Sequence, residues 1–522
     1  MPIVLFWQPI TPSIKYYPKN NDDLVVLTNL AHQNQYQQIV LSPRGGGTGT
    51  NGQSLTDGIV VDTSKHMNKI LEINTEEGWV RVQCGVVKDQ LNASIKPHGY
   101  FFAPELSTSN RATLGGMINT DASGQGSCSY GKTRDHVLAL KTVLMNGSIL
   151  DTQAIDESTL KQLQSKDNLA ARIYQLVDDI NKNYKDEITA TFPKLNRCLT
   201  GYDLAHIRDD NNHFNLNSIL CGSEGTLGFI SEAKLNLLAI PKKTALVNLS
   251  YNNFNAALRD ANTIMSAGPT SIETIDSRVL NLAKGDIIWD SIAEFFPDNN
   301  ESHNTVEGIN LIEYTADSDE ALKAAMEPLL KILNSASSAS HTYTIAWGQD
   351  VNKIWGMRKK AVGLLGNIQG EARPIFVEDT AVPPEHLADF IVEFRALLDS
   401  HNLQYGMFGH VDAGVLHVRP ILDMKKSHDE KLVREITDQV VGLTHKYGGL
   451  LWGEHGKGLR PEFSPKFFGA LYPLLQQIKH TFDPNNQLNP GKIATPNENI
   501  PLFKIDEVKT RGQYDKTISK DN

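Results

Sequence analysis

Two stretches toward the C-terminal end hold the residue types that carry metal-assisted proton chemistry: Gly409-His410-Val411-Asp412-Ala413-Gly414-Val415-Leu416-His417 and Trp452-Gly453-Glu454-His455-Gly456-Lys457-Gly458. With Ala413-Gly414 as a two-residue hairpin turn, Asp412 faces Val415 and His410 faces His417 directly across the ladder, their Cβ atoms about 5 Å apart on one face. Two imidazoles then converge. Glu454 adds a carboxylate and His455 another imidazole, with flanking glycines that let a ligand come close. His, His and Glu around an open position describe a catalytic divalent-metal site, a ligand set that accepts Zn, Mn, Co or Fe. A lone strand histidine is more often packed or solvated, but the pair followed by Glu-His reverses that expectation.

A second chemistry is written in glycine. Arg44-Gly45-Gly46-Gly47-Thr48-Gly49-Thr50-Asn51-Gly52 lies between two apolar runs, Gln38 to Pro43 and Gly58 to Asp62, so it is a loop between strands. Its glycines let successive backbone N–H groups converge on one anion, and Arg44, Thr48 and Thr50 add a charge and hydroxyl donors. That suits a pyrophosphate. The spacing is neither Gly-x-Gly-x-x-Gly nor Gly-x-x-x-x-Gly-Lys-Ser/Thr, which disfavours a plain Rossmann site. Two further small-residue regions follow: Pro104 to Asn110 with Thr113 to Gly124 and Tyr130-Gly131, then Cys221-Gly222-Ser223-Glu224-Gly225-Thr226-Leu227-Gly228-Phe229-Ile230. Any one of them reads as an ordinary loop, but three in one half of a chain suggest backbone laid against a flat ligand.

A length of 522 residues implies two or three domains. The formal net charge is −10 and no Lys/Arg-rich block stands out, so nucleic acid is excluded as the main partner and a small molecule is favoured. Cys84, Cys128, Cys198 and Cys221 are far apart, which offers neither a disulfide framework nor an iron–sulfur ligand set and fits a reducing cytoplasm. No window approaches an integral membrane segment, although peripheral attachment to an inner membrane stays open.

The positioning elements follow from periodicity. Leu24, Leu27 and Leu30 predict a helix before the first glycine loop, Ile70 to Asn74 and Trp79 to Gln83 a strand pair turned at Glu76-Glu77-Gly78, and Val87 to Ile95 a short helix. Beyond about Pro241 strands alternate with long helices. Phe254 to Ala267 and Ser318 to Leu333 read as helices, Ile309 to Tyr314 and Thr342 to Trp347 as strands. Leu387, Phe390, Ile391, Phe394, Leu397 and Leu398 form one apolar helical face, and Val433, Ile436, Val440, Leu443 and Tyr447 another. This predicts an antiparallel sheet covered by helices. The expected domains are 17–240 and 241–475, then a segment 476–500 returning to the first, and a polar tail at 501–522.

The three glycine regions, in this order and spacing, resemble the FAD-binding domain of the vanillyl-alcohol oxidase/p-cresol methylhydroxylase superfamily, in particular its branch of D-lactate, glycolate and D-2-hydroxyglutarate dehydrogenases. The resemblance spans about residues 17 to 512. It implies an α+β fold: a two-subdomain FAD-binding domain of the p-cresol methylhydroxylase type plus an antiparallel-sheet substrate domain covered by helices. It implies that Arg44, Gly45, Gly46, Gly47, Thr48, Gly49, Thr50, Asn51 and Gly52 embrace the pyrophosphate. Pro104, Ser109, Gly115, Gly116, Asn119, Ala122, Gly124, Gly131, Gly225, Gly228, Ile230 and Asn489 would surround the rest of FAD. Asn489-Pro490-Gly491-Lys492 matches the family's closing motif. The first loop has no His, so the implied FAD is non-covalent.

Gly-His-x6-His followed by Glu-His-Gly is similar to the metal-binding pattern of the D-2-hydroxyglutarate branch, which implies that His410, His417 and Glu454 hold a divalent metal such as Zn and that His455 meets the substrate hydroxyl. The implied reaction oxidises a small D-2-hydroxy acid, D-2-hydroxyglutarate first and D-lactate next. The metal lowers the alcohol's pKa, His455 takes its proton, and the Cα hydride passes to flavin N5. Arg358 in Trp355-Gly356-Met357-Arg358 matches the family's Trp-x-x-Arg and suits a substrate carboxylate. The family's further Lys and Thr donors are replaced by Val377 and Val362, while Arg373 and Arg419 offer redistributed cations.

The segments Ala372 to Pro383 and Ile505 to Gly512 resemble the flavoprotein half of longer bacterial proteins whose second half carries iron–sulfur clusters. The electron acceptor implied is a quinone, an electron-transfer flavoprotein or such an iron–sulfur partner. Two other readings remain open: a flavin-binding subunit inactive without its missing half, and a metallohydrolase built on His410, His417 and Glu454 alone.

Overall fold

The computed structural model describes residues 12–297, 305–335, 341–365, 376–423 and 426–506. Arg373, the side chain of Val362 and the tail beyond residue 506 therefore lie outside the described residues. At the N-terminal end β1 (Ile14–Tyr16), β2 (Leu41–Arg44) and β3 (Ile59–Asp62) form a parallel sheet in the order β1-β3-β2. The first glycine loop thus connects neighbouring parallel strands. The helix Asn21–Ala31 starts where the Asn20 side chain accepts the Asp23 N–H. Its buried stripe is Leu24, Thr28 and Ala31. Leu30, placed on that stripe by the sequence, is 46% exposed; Thr28 takes the inner position because its hydroxyl donates back to the Leu24 carbonyl.

The chain continues through β4 (Ile70–Asn74), β5 (Trp79–Gln83), β6 (Tyr100–Phe101), β7 (Val137–Val143), β8 (Ile149–Ile155), β9 (Phe214–Asn215), β10 (Phe229–Asn236) and β11 (Leu238–Ala239). Six of these form an antiparallel sheet in the order β4-β5-β10-β7-β8-β9, and β6 pairs with β11. The helix Leu169–Asn183 buries Ile173, Tyr174, Val177 and Ile180 in the core beneath this sheet. The later helix Tyr472–Phe482 contributes Leu474, Leu475, Ile478 and Phe482 to the same core. Past it, the Leu41 N–H donates to the Gln487 carbonyl and the Asn489 N–H to the Leu41 carbonyl, so the C-terminal segment returns to the start of β2 and closes the N-terminal sheet.

Between these parts lies a seven-stranded antiparallel sheet of β12 (Lys243–Tyr251), β13 (Ser271–Asp276), β14 (Gly308–Ala316), β15 (His341–Trp347), β16 (Thr380–Ala381), β17 (Tyr405–His410) and β18 (Val415–Pro420). Its order is β15-β12-β14-β13-β17-β18-β16. Period-two alternation divides its side chains between two cores. Ala245, Val247, Leu249, Ile272 and Ile312 pack under the helices Phe254–Met265, Asp319–Ser335, Leu387–Ser400 and Ser427–Lys446. Leu246, Ile275, Ile309 and Leu311 pack under Ser277–Lys284 and Gln349–Leu365. The α+β architecture and the helix-covered antiparallel sheet are as the sequence predicts.

Candidate active site

The expected two-residue turn is not what joins β17 to β18. Residues Val411–Ala413 make a short helical turn closed by Gly414 at φ 69°. A Cβ on Gly414 would fall 1.8 Å from the Val382 carbonyl oxygen, so only glycine fits. The buried Asp412 accepts the Ile272 N–H from β13, which draws the connection into that turn. In the resulting register His410 faces Val415 and Phe408 faces His417. His410 and His417 are diagonal neighbours instead of direct partners, yet their ring centroids are 5.5 Å apart.

Three carboxylates each stand between an arginine and at least one of the site histidines. Glu273 of β13 binds Arg358 and His410 Nδ1. Glu378 accepts a hydrogen bond from Arg419 Nε at 2.6 Å and lies 2.9 Å from His455 Nδ1. Glu454 binds Arg197, with its other oxygen 2.8 Å from His417 Nε2 and 3.3 Å from His455 Nε2. His410 Nε2 is 3.6 Å from the Arg197-bound oxygen. The rings of His417 and His455 stack at 4.9 Å, only 10° from parallel. The adjacent Asp379 accepts the N–H groups of Glu454 and His455, which fixes the backbone that aims both side chains.

Burial sets the electrostatics. It pushes His417 down to about 4, so this ring is neutral at physiological pH. Burial opposes charge on His455 as well, but Asp379, Glu378 and Glu454 outweigh it and hold that ring protonated well above its usual range. Burial would likewise raise Glu454, but Arg197 and the two histidines keep its carboxyl far below the usual carboxylate range. Asp379, desolvated beside Glu454, rises to about 6.

This arrangement fits a divalent cation. His410 and His417 direct Nε2 toward the Glu454 carboxylate, and the Glu273 carboxylate on His410 Nδ1 is the kind of partner that orients a ligating imidazole. A tighter grouping, Asp379, His417, Glu454 and His455, has its ligating atoms within 4.8 Å of one another. Asp379 accepts two backbone N–H groups, whereas His410 turns Nε2 toward Glu454 at 3.6 Å, so His410 and Asp379 both stand as candidates for the third position. The carboxylate-binding candidates are less free than their sequence suggests. Arg419 is engaged by Glu378, while Arg358 pairs with Glu273 through Nη2 and keeps a buried Nε without a partner among the described residues. Val377 is buried in the helix-covered core.

The glycine loops also fit a cofactor. The backbone N–H groups of Gly45 to Gly49 find no acceptor among the described residues, and the buried hydroxyls of Thr50 and Ser123 are unpaired. Not every glycine there serves ligand approach. A Cβ on Gly46 would meet the Arg111 carbonyl oxygen at 2.1 Å, so it lets the first loop pack on the second. Asn119 and Asn489 are likewise loop fasteners. Asn119 Oδ1 accepts the Gly225 N–H, and Asn489 Nδ2 donates to the Glu224 carbonyl. Pro104, Ser109, Ala122, Gly124, Gly131 and Gly228 lie on the loops around them, Gly115 and Gly116 in the first turn of the helix Leu114–Thr120, and Ile230 at the start of β10.

Comparison with known proteins decides the family. Residues 12–153 match the model of an FAD-binding domain, and residues 240–493 that of the C-terminal domain of FAD-linked oxidases. The chain belongs to the FAD-linked oxidases. FAD is the cofactor of this fold. The chain is 58% identical over 513 residues to D-2-hydroxyglutarate dehydrogenase of Pseudomonas putida, covering 98% of this chain and 51% of that protein. It is 53% identical to the Escherichia coli protein of that name, covering 98% and 51%. It thus spans about half the length of these curated relatives. Glycolate oxidase subunit GlcD of Bacillus subtilis is 25% identical, covering 92% of this chain and 89% of that one. Among solved structures, p-cresol methylhydroxylase with substrate bound superposes with a TM-score of 0.66 at 13% identity, covering 93% and 89%.

In this FAD-linked oxidase the sequence reading missed Arg197, Glu273, Glu378 and Asp379. Arg197 lies in an irregular stretch with no periodic signal. Glu273 left a trace, a charged residue inside the wholly buried strand Ser271–Asp276. Glu378-Asp379 stood within a family-like segment without an assigned role.

Proposed function

We propose that this chain oxidises a D-2-hydroxy acid, D-2-hydroxyglutarate first, to the 2-oxo acid, using non-covalent FAD and a divalent metal such as Zn. The observation that carries this reading is the meeting of His410 and His417, on β17 and β18, with Glu454 and His455, on a loop anchored in the FAD-binding half. The names of the relatives at 58% and 53% identity support the substrate, and GlcD supports the wider 2-hydroxy acid class.

Bound FAD supplies the hydride acceptor for the substrate Cα. His410, His417 and Glu454 would hold the cation, which would supply the Lewis acidity that lowers the pKa of the substrate hydroxyl. His455 accepts the hydroxyl proton at Nε2, while Glu378 and Asp379 hold its ring and backbone in place. Asp379, Glu378 and Glu454 favour the protonated ring, so His455 gives up its resting proton before it takes that of the substrate. Arg358 binds a substrate carboxylate, a role supported by its buried Nε, which has no partner among the described residues. Arg419 acts through Glu378 on His455. Arg373 remains a substrate-binding candidate from sequence.

Electrons then leave for a quinone, an electron-transfer flavoprotein or an iron–sulfur partner. No described helix is long and apolar enough to cross a membrane. The four free cysteines support a cytoplasmic setting, with attachment at the inner membrane's surface compatible with it.

The test is an anaerobic visible spectrum of the purified protein mixed with D-2-hydroxyglutarate, D-lactate, D-malate and their L-enantiomers. Loss of the band near about 450 nm, a property of oxidised flavin itself, is expected with D-2-hydroxyglutarate. A flavin band that no acid bleaches would favour an inactive flavin subunit, and a colourless protein would refute the flavin assignment.

A further inference from the structure

The loop that carries His455 is held from the flavin side by Gln53 and Glu224, to which the proposed chemistry gives no role, and by Asn51, which the resemblance assigned to the pyrophosphate. Gln53 Nε2 donates to the His455 carbonyl at 2.6 Å. Asn51 Nδ2 donates to the carbonyls of His455 at 3.1 Å and Gly456 at 2.8 Å, and the Asn51 carbonyl accepts the Leu459 N–H at 2.9 Å. From the third glycine loop Glu224, 4% exposed, accepts the N–H groups of Lys457 at 2.6 Å and Gly458 at 2.8 Å. The clamp is tight. A Cβ on Gly458 would sit 2.0 Å from the Asn51 carbonyl oxygen, and Glu224 itself adopts a φ of 51° that residues with a Cβ rarely take. Its own backbone is pinned on both sides, with its N–H donating to the Asn119 carbonyl and its carbonyl accepting from Asn489. Residues 455–459 therefore take their main-chain path from two loops of the flavin-binding half.

We propose that Gln53, Asn51 and Glu224 are positioning residues that couple the flavin loops to the histidine loop, so that filling either site tightens the other. The inference rests on the flavin and metal assignments above and goes beyond them. The N–H groups of the first loop, Gly45 to Gly49, have no acceptor among the described residues, while Asn51 and Gln53 at its far end grip the His455 main chain. Ordering the one end fixes the other. Glu454 and His455 are adjacent, so a shift of this backbone moves a metal ligand and the proton acceptor together. Coupling between binding sites is reciprocal, so the metal must improve FAD affinity by the factor by which FAD improves metal affinity.

The experiment titrates FAD into the full chain, first stripped with a chelator and then replenished with Zn2+, following quenching of flavin fluorescence. In the wild type Zn2+ is expected to tighten FAD roughly tenfold, within the usual range for coupled sites. In Gln53→Leu, which still binds both FAD and Zn2+, that factor falls toward one. Glu224→Gln is the second variant, and if it does not fold Gln53→Leu alone decides. A wild-type factor of one overturns the coupling. So does a variant whose FAD affinity drops equally with and without Zn2+ while the factor persists, since that is a purely structural role. Failure of the wild type to bind FAD or Zn2+ at all would refute the assignments beneath the coupling, a result distinguishable from its own failure.

Discussion

The guanidinium of Arg197, carried by the flavin-binding half, is hydrogen-bonded to the carboxylate of Glu454 on the loop that carries His455, and both side chains are almost wholly buried. The same guanidinium donates to the Gly124 carbonyl and to Ser127, so one residue ties the second glycine region to a proposed metal ligand. Removing one partner of a buried pair typically costs about 3–5 kcal/mol, because the other charge is left unpaired. Arg197→Met is expected to lose stability of that order in urea unfolding. Adding Glu454→Gln should restore part of it, and strictly additive losses would show that the two do not interact.

His417 is neutral, and its Nε2, the proposed ligating atom, lies 2.8 Å from the Glu454 carboxylate. His417→Ala is expected to reduce bound metal to a small fraction of wild type by elemental analysis, with FAD content retained. Full metal content in this variant would remove His417 from the ligand set.

Arg358 and Arg419 should separate kinetically. Arg358→Ala removes the proposed contact to a substrate carboxylate, a charge-assisted bond worth about 1.5–3 kcal/mol, so KM should rise about 10- to 100-fold. Arg419→Ala loosens Glu378 behind His455 and should lower kcat with a smaller change in KM. The opposite pattern would exchange the two roles.

Asp276 gives a pH signature away from the site. It accepts the N–H groups of Val279 and Met407, yet burial raises its carboxyl to about 6. Between the unfolded and folded values the native state binds more protons, so this group's contribution to stability falls as pH rises from about 4 to 6. Relative to Asp276→Asn, the wild type should therefore lose up to about 2 kcal/mol between pH 4 and pH 7, each shifted unit being worth about 1.4 kcal/mol. Parallel unfolding curves for the two proteins across that range would remove the shift.

The sequence by itself determined much. The glycine loops and the apolar faces of helices such as Leu387–Ser400 were legible because turn chemistry and periodicity are written in neighbouring residues, as were the residue types of the proposed metal set. The hairpin between His410 and His417 was half legible. The two rings do converge, but their register depends on a carboxylate bond from Asp412 to another strand. Only the tertiary structure decided which charge meets which. Arg358 and Glu273 are 85 positions apart, Arg197 and Glu454 are 257, and Gln53 and His455 are 402. Such pairs leave no local pattern, since sheet register and the docking of two halves bring them together. Once they are buried, desolvation makes each pairing obligatory.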